Sequence, residues 1–172
     1  MGIAGFEPIL LVGLDAIRRE YGARLAALVG RCMSGYVVVR FVENGDWFAD
    51  CPIVLDFDGI KAEICHWKFD ELSIGWNTVD TTAAISGWEC HDLIPGWSRL
   101  DERLGPFVGR ELREVALLEW RPSSLDLADG TSRWSSLSMR VASTLPTVST
   151  RTASPSVRPI QITSAIDWPE PC

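Results

Sequence analysis

The sequence of 172 residues contains no long hydrophobic run. Its opening apolar segment, ILLV at residues 9–12, is far shorter than the roughly 20 residues that a membrane-spanning helix needs. No basic segment precedes this run and no small-residue cleavage site follows it, so we expect no signal peptide. These features predict a soluble protein without membrane contact. The length is sufficient for one domain with its own core.

Cysteines are few and irregularly spaced. The chain has five, an odd number that does not form the disulfide framework of a small secreted protein, so we predict a reduced, cytoplasmic protein. The dipeptides Cys65-His66 and Cys90-His91 lack the ligand spacings of structural zinc sites. Adjacent residues on a strand also point to opposite faces. We therefore expect no metal and no cofactor.

Basic residues are in deficit. The chain has 16 Lys+Arg against 23 Asp+Glu, which gives a formal net charge of −7. A general nucleic-acid-binding protein presents a basic surface to the phosphates, so this charge argues against a nucleic-acid partner. It favours a protein partner with a basic surface, because complementary charges steer the encounter of two proteins.

The sequence signatures of catalysis are also missing. No Walker-type phosphate loop, dinucleotide fingerprint or zinc-protease helix occurs. A Cys–His nucleophile pair needs an accessible thiolate beside its base, and nothing in the sequence indicates an oxyanion hole. Scattered carboxylates such as Asp70-Glu71 are typical of solvated turns rather than of a paired-carboxylate site. We therefore predict no catalytic residue, and an enzyme is the less favoured class.

The chain is organised around residues 47–80, where Asp58-Gly59 separates two alternating runs. This dipeptide is a strong signal for a tight hairpin with both turn residues at positive φ. A third alternating run at residues 72–76 extends the hairpin to an antiparallel meander with one buried face. The predicted register pairs Ile53 with Ile64, Leu55 with Ala62, Asp56 with Lys61, Phe57 with Ile60 and Cys51 with His66.

Shorter elements flank this meander. Asp15 is placed to cap a helix over residues 15–21 that ends near Gly22. The remaining predictions are a strand over residues 36–42 closed by a turn at Asn44-Gly45, a covering loop over residues 81–96, a helical turn over residues 100–104 and a strand over residues 112–120.

The chain contains an internal repeat. Residues 25–31, LAALVGR, match residues 104–110, LGPFVGR, and a strand is predicted to begin within about five residues of each copy. The repeat predicts two related β-units that face each other across one core. We therefore predict an α+β fold with an antiparallel sheet built from two related β-units and a short N-terminal helix, within a single domain over residues 1–130.

Residues 131–172 differ from the rest of the chain. Residues 131–166 contain no Gly, Asp, Glu or Lys, and 13 of residues 131–159 are Ser or Thr. One interpretation is a disordered extension rich in Ser, Thr, Pro and Arg. The other is a shifted reading frame, because back-translation with G- or C-ending codons and a one-base shift produce an alternating strand, a Gly-containing turn and a second strand. Both interpretations stay open.

Three segments carry a resemblance to a known family: WFADCP at residues 47–52, LDF at residues 55–57 and KFDELSIGWNT at residues 68–78. On these segments the chain resembles a family of small bacterial proteins to which no activity is attached. The resemblance covers roughly residues 20–130, and the sequence departs from it after Gly130. It therefore implies no functional residue.

Two hypotheses for the function stay open. In the first, the chain is a small acidic cytoplasmic protein that regulates a basic partner without catalysis. In the second, it is a small-molecule-binding protein or hydrolase with a pocket near Asp50, His66, Trp67 and Trp76. The pocket hypothesis requires His66 and a carboxylate to converge in a concave site. The interaction hypothesis requires an exposed, flat surface with aromatic and acidic side chains, for which tryptophan is well suited.

Overall fold

A computed structural model describes residues 2–67, 71–87, 93–120, 134–141 and 158–162 of the chain. Within these residues, nine strands form two antiparallel sheets, one with the strand order β1-β5-β4-β3-β2-β6 and one with the order β7-β8-β9. The predicted α+β class with an antiparallel sheet and a short N-terminal helix is confirmed. The elements are β1 (Leu11–Val12), α1 (Leu14–Ala26), β2 (Met33–Phe41), β3 (Ile53–Phe57), β4 (Ile60–Trp67), β5 (Glu71–Trp76), β6 (Pro95–Ser98), a 3-10 turn (Gly105–Phe107), β7 (Leu112–Trp120), β8 (Trp134–Val141) and β9 (Arg158–Ile162).

The central hairpin has the predicted turn and register. Asp58 and Gly59 both have positive φ, at 51° and 86°, as a tight turn between twisted strands requires. The β3–β4 pairs from Phe57–Ile60 to Ile53–Ile64 are those that the alternation predicts, and β5 continues the meander. The predicted pair of Cys51 with His66 is wrong, because the ladder ends at Ile53. His66 lies opposite Leu72 of β5 instead.

The meander is buried on both faces, so the prediction of one exposed face is wrong. Val54, Glu63 and Cys65 lie on the face that was expected to meet solvent, yet each is 2% exposed or less. The N-terminal segment and the chain after β5 cover this face. A second hydrophobic cluster forms there from Ile3, Val37, Val39, Phe48, Cys51, Val54 and Val79.

The hydrogen-bond partners of Glu63 explain how this charged side chain can be buried. Its carboxylate accepts hydrogen bonds from the backbone N–H groups of Thr78 and Val79 and from the Thr78 hydroxyl, the last at 2.6 Å. These donors replace water, which a buried carboxylate otherwise lacks. Gly75 lies opposite Glu63 on β5 and leaves room for it, because a Cβ at Gly75 would stand 2.4 Å from Glu63 Oε2.

Helix α1 is longer than predicted. It continues through Gly22 to Ala26, and its N-cap is Gly13 rather than Asp15, without a side-chain capping hydrogen bond. The reason is tertiary packing: Ile17, Tyr21 and Leu25 form one buried stripe, and burial of Leu25 outweighs the weak helix propensity of glycine.

The main core lies between α1, the first sheet and the second sheet. Leu112 of β7 and Met139 of β8 are fully buried in the same cluster as Leu55 and Phe57 of β3. The two sheets therefore bury their apolar side chains in a common core, as the repeat predicts.

The two copies of the repeat have the same hydrogen bonds. β2 and β7 each begin two residues after their copy, each has nine residues, and each has a register irregularity at its start. An isolated bridge between Cys32 and Glu111 joins the copies. Around it Gly30 N donates to Leu112 O at 2.8 Å and Gly109 N to Met33 O at 2.8 Å, while Met33 N donates to Arg110 O at 2.9 Å and Leu112 N to Arg31 O at 2.8 Å.

Strand β6 was not predicted. Its first two residues, Pro95 and Gly96, fall in the expected covering loop over residues 81–96, but the strand pairs with Val38–Phe41 of β2. The turn at Asn44-Gly45 is present, with Gly45 at φ 75°, and it returns the chain to β2 at a single bridge between Arg40 and Trp47. β7 has the predicted bounds.

Strands β8 and β9 both lie within residues 131–172. β8 pairs with β7, and Met139 of β8 is buried in the main core. The division of the chain at residue 130 and the two interpretations of the C-terminal segment stay predictions.

Replacement of Gly75 by Ala should lower the free energy of unfolding by about 1–3 kcal/mol, the cost of an overpacked core position. The added methyl group would displace the Glu63 carboxylate from its three hydrogen bonds. Urea unfolding measures the effect. Gly35→Ala in β2 is the matched control, because a Cβ there meets nothing within 4 Å. Equal stabilities of the two variants would contradict the role given to Gly75.

Gly30→Ala and Gly109→Ala should each cost about 1–2 kcal/mol, since both glycines have left-handed φ values, 89° and 79°, that disfavour a side chain. Neither Cβ would meet another atom within 4 Å, so the cost is conformational in both cases. Thermal and urea unfolding of the two variants should therefore give similar losses. A loss in one variant alone would contradict their equivalence.

Candidate functional site

An open cleft of about 790 Å³ lies between β2, the turn before Trp47 and the loop at residues 100–103. We call it the Trp47 cleft. β2 contributes Tyr36 and Arg40, which lie on the same face because they are an even number of residues apart. The other lining residues are Gly45, Asp46, Trp47, Leu100, Asp101, Glu102 and Arg103.

Asp101 organises the cleft. Its side chain is fully buried, and its carboxylate binds Arg40 Nη2 at 2.8 Å and Arg103 Nη2 at 2.9 Å. The Arg103 Nε–H and the backbone N–H groups of Arg103 and Leu104 donate to the other oxygen, Oδ1. The Asp101 backbone is held as well, because its N–H donates to the Tyr36 hydroxyl at 2.9 Å and its carbonyl accepts from it at 3.1 Å.

The pKa of Asp101 is the outcome of opposed effects. Burial alone would raise it, because burial disfavours the charged form. Hydrogen bonds from the side chain and backbone of Arg103, the charge of that residue and the Leu104 N–H act in the other direction and outweigh burial. The pKa of Asp101 therefore falls from 3.8 to about 2, so the carboxylate stays ionised near neutral pH.

Trp47 forms the aromatic wall of the cleft. The Arg103 guanidinium lies over its ring, with Cζ 4.8 Å from the ring centroid, a cation–π distance. Among the described residues, the buried Trp47 Nε1 and Arg40 Nε have no hydrogen-bond partner. The other terminal nitrogen of Arg40, Nη1, donates to the Gly45 carbonyl, so Arg40 is fixed at both ends of its guanidinium.

The margin of the cleft carries acidic and apolar side chains beside the exposed Arg103. Asp46 and Glu102 are exposed, and Leu100 is 81% exposed beside them. Asn44 fixes the turn at Asp46, since its side-chain oxygen accepts from the Asp46 N–H at 2.9 Å and its amide donates to the Asp46 carboxylate at 2.7 Å. The margin thus supplies the exposed acidic side chains that the interaction hypothesis requires, whereas the aromatic wall is only partly exposed and the surface is a cleft rather than flat.

None of the four residues proposed from the sequence as a pocket lines the Trp47 cleft. Asp50 precedes β3, and burial raises its pKa. His66 and Trp76 share the core face of the meander, but Trp76 lies opposite Ala62, four residues along β4 from His66. Trp67 is 44% exposed and points to the opposite face. The structure thus does not bring the four side chains together in that cleft, and the pocket hypothesis stays a prediction.

The two buried thiols near Asp50 are poor nucleophiles. Burial raises the pKa of Cys51 to about 12, and the neighbouring Cys65 and Asp50 add to the effect. Burial, followed by the charge of Asp50, raises the pKa of Cys65 to about 12 as well. A thiol at such a pKa carries almost no thiolate near neutral pH. Within the described part of the chain, no group of three or more His, Cys, Asp or Glu side chains could hold a metal ion, and Cys90-His91 lies outside it.

The sequence did not point to Asp101, Arg40 or Tyr36. Residues 100–104 were predicted only as a helical turn, and the partners of Asp101 on β2 are 61 and 65 residues away in the chain. The local signal was an aspartate followed two residues later by an arginine. That spacing allows an aspartate side chain to accept from the backbone N–H groups that follow it, as it does here.

A smaller, mostly apolar cleft of about 450 Å³ lies between α1 and β7. Gly22, Leu25 and Ala26 of the helix face Val115 and Leu117 of the strand across it. Arg18, Arg113 and Glu114 stand at its margin. This cleft lacks a buried charge and supplies no chemistry comparable to that of Asp101.

No family model, curated protein or solved structure matches the chain. The resemblance described from the sequence therefore stays an expectation. In the described residues, no helix has the length and apolar composition needed to cross a membrane.

Replacement of Asp101 by Asn should lower the free energy of unfolding by about 2 kcal/mol near pH 7, as hydrogen bonds to a charged group typically contribute roughly 1.5–3 kcal/mol. Because the pKa of Asp101 is about 2 in the folded chain and ordinarily 3.8, the carboxylate stabilises the fold fully above about pH 5 and progressively less toward pH 2. Urea unfolding of both proteins across this range should show their difference shrinking as the pH falls. A constant difference would contradict the assignment.

Proposed function

We propose that this chain is a small acidic interaction protein that acts without catalysis and binds a basic segment of a partner protein in the Trp47 cleft. The observation that carries the proposal is the position of two exposed carboxylates, Asp46 and Glu102, at the margin of a cleft with an aromatic wall. A basic segment in the cleft would place its cations beside these carboxylates.

Charge supports this assignment at two distances. The formal net charge of −7 favours long-range attraction of a basic partner and a faster encounter. At short range, Leu100 and Trp47 offer apolar area, and tryptophan is a frequent anchor in protein interfaces. The mixed character of the cleft fits a peptide segment better than a small polar molecule.

The location proposed for the protein is the cytoplasm. Its support is the odd number of cysteines without a regular spacing, which is typical of proteins kept in a reducing compartment.

A titration of the full chain with a model peptide tests the binding proposal. The probe is an acetylated, amidated hexapeptide of alternating arginine and leucine, whose only charges are its arginines. Calorimetry should detect binding that weakens as salt is added, because the attraction is partly between exposed charges. Asp46→Asn together with Glu102→Gln should weaken binding about tenfold, since rim charges of this kind contribute roughly 0.2–1 kcal/mol each and also steer the encounter.

The matched control is Glu7→Gln with Glu20→Gln, which removes the same charge from two other exposed positions. This control should bind within about twofold of the unmodified chain, because screened charges away from the site contribute little. If both double variants lose the same affinity for the peptide, the loss comes from the overall charge of the chain, and a binding site in the cleft is refuted. Absence of binding to the unmodified chain at low salt would refute the proposal as well.

A further inference from the structure

The two partners in the Arg103–Asp101 ion pair differ greatly in exposure. The Asp101 side chain is fully buried, while the Arg103 side chain is 64% exposed. A buried charge without any partner would be strongly disfavoured, and Arg40, which also binds Asp101 at 2.8 Å, meets this requirement when the Arg103 side chain moves away. An exposed arginine loses little when it returns to water. The anion is therefore a permanent part of the cleft, whereas its outer cation is exchangeable.

The surroundings of the Arg103 guanidinium match that group closely. Its Nε and Nη2 donate to the two oxygens of Asp101, at 3.2 and 2.9 Å, and its Cζ lies over the Trp47 ring. A bidentate carboxylate combined with an aromatic face is a recognition site for a planar, delocalised cation. A lysine ammonium has no planar fork, so it cannot make both contacts in the same way.

We propose that Asp101 and Trp47 form a guanidinium-binding site that Arg103 occupies from within the chain and that an arginine of the basic partner takes over on binding. The inference rests on the proposed function for the identity of the partner, and it narrows the partner's chemistry from a basic segment to one that presents an arginine.

The carboxylate keeps its position when the Arg103 side chain leaves. Arg40 still binds it at 2.8 Å, and the backbone N–H groups of Arg103 and Leu104 still donate to it. The Tyr36 hydroxyl still holds the Asp101 backbone. These contacts do not involve the Arg103 side chain, so the site is preorganised for an incoming guanidinium. The open cleft beside it provides the path of entry.

The test removes the Arg103 side chain from the site and then measures binding of small arginine and lysine derivatives. Arg103→Ala removes the internal occupant, and Arg99→Ala removes an equal charge from an exposed residue outside the cleft lining. The probes are N-acetyl-arginine amide and N-acetyl-lysine amide, followed by calorimetry and by the change in melting temperature of the full chain. A urea-unfolding curve establishes that each variant is folded.

The Arg103→Ala variant should bind the arginine probe at least tenfold more tightly than the unmodified chain does, and at least fivefold more tightly than it binds the lysine probe. Its melting temperature should rise toward that of the unmodified chain as the arginine probe is added. The Arg99→Ala variant should behave like the unmodified chain. Trp47→Leu in the Arg103→Ala background should remove most of the preference for arginine over lysine, because the aromatic face is lost.

The inference is overturned if Arg103→Ala binds the arginine probe no better than Arg99→Ala does, or if it binds the lysine probe equally well. This failure is distinct from failure of the proposed function. If the arginine–leucine hexapeptide binds the unmodified chain in dependence on Asp46 and Glu102 while the vacated site shows no preference, the interaction proposal stands and the guanidinium site falls. If instead the vacated site prefers arginine but binding of the hexapeptide does not depend on Asp46 and Glu102, the guanidinium site stands. The two carboxylates are then not the contact for the partner.

Discussion

Four backbone hydrogen bonds around the bridge between Cys32 and Glu111 join the two β-units, and much of the remaining structure depends on them. They fix where β2 and β7 begin, and so they set which side chains of the two sheets enter the common core. The bonds require the chain to turn sharply just before each strand. Gly30 and Gly109 make that possible, since each adopts a left-handed conformation at the equivalent point of its copy.

The internal repeat also relates the two clefts. Tyr36 and Asp101 line the Trp47 cleft, while Val115 and Gly22, which are separated from them by the same 79 residues as the two repeat copies, line the smaller cleft between α1 and β7. The backbone architecture creates a concavity beside the first strand of each unit. At these positions one concavity is lined by an aromatic hydroxyl and a buried carboxylate, and the other by an isopropyl group and a glycine without a side chain. The two concavities therefore differ in polarity.

Local signals in the sequence predicted the elements that depend on near neighbours. Asp58-Gly59 predicted the hairpin turn, and strict alternation predicted its register, because a shift by one residue would turn Asp56 and Lys61 toward the main core. For the opposite face, the same alternation led to the wrong prediction of solvent exposure. An acidic residue at position 63 indicates exposure, because its hydrogen-bond donors, Thr78 and Val79, are too distant in the chain to be recognised from the neighbouring residues. The Asp101 site escaped prediction for the same reason, since it is assembled across more than 60 residues of chain.

Glu63 and Asp101 show how the environment of a buried carboxylate decides what it can do. Among the described residues, Glu63 accepts from neutral donors, the Thr78 hydroxyl and two backbone N–H groups, and it is packed against Gly75. Its bonds connect the meander to the chain that covers it. Asp101 has arginine partners beside an open cleft, and one of them is mostly in solvent. Arg40 and the backbone N–H groups therefore hold the charged carboxylate of Asp101 in place, while its contact with the exposed Arg103 side chain faces the cleft. In the binding that we propose, the buried charge of Asp101 with a replaceable partner would combine the rigidity of a core residue with the accessibility of a surface residue, as selective binding requires.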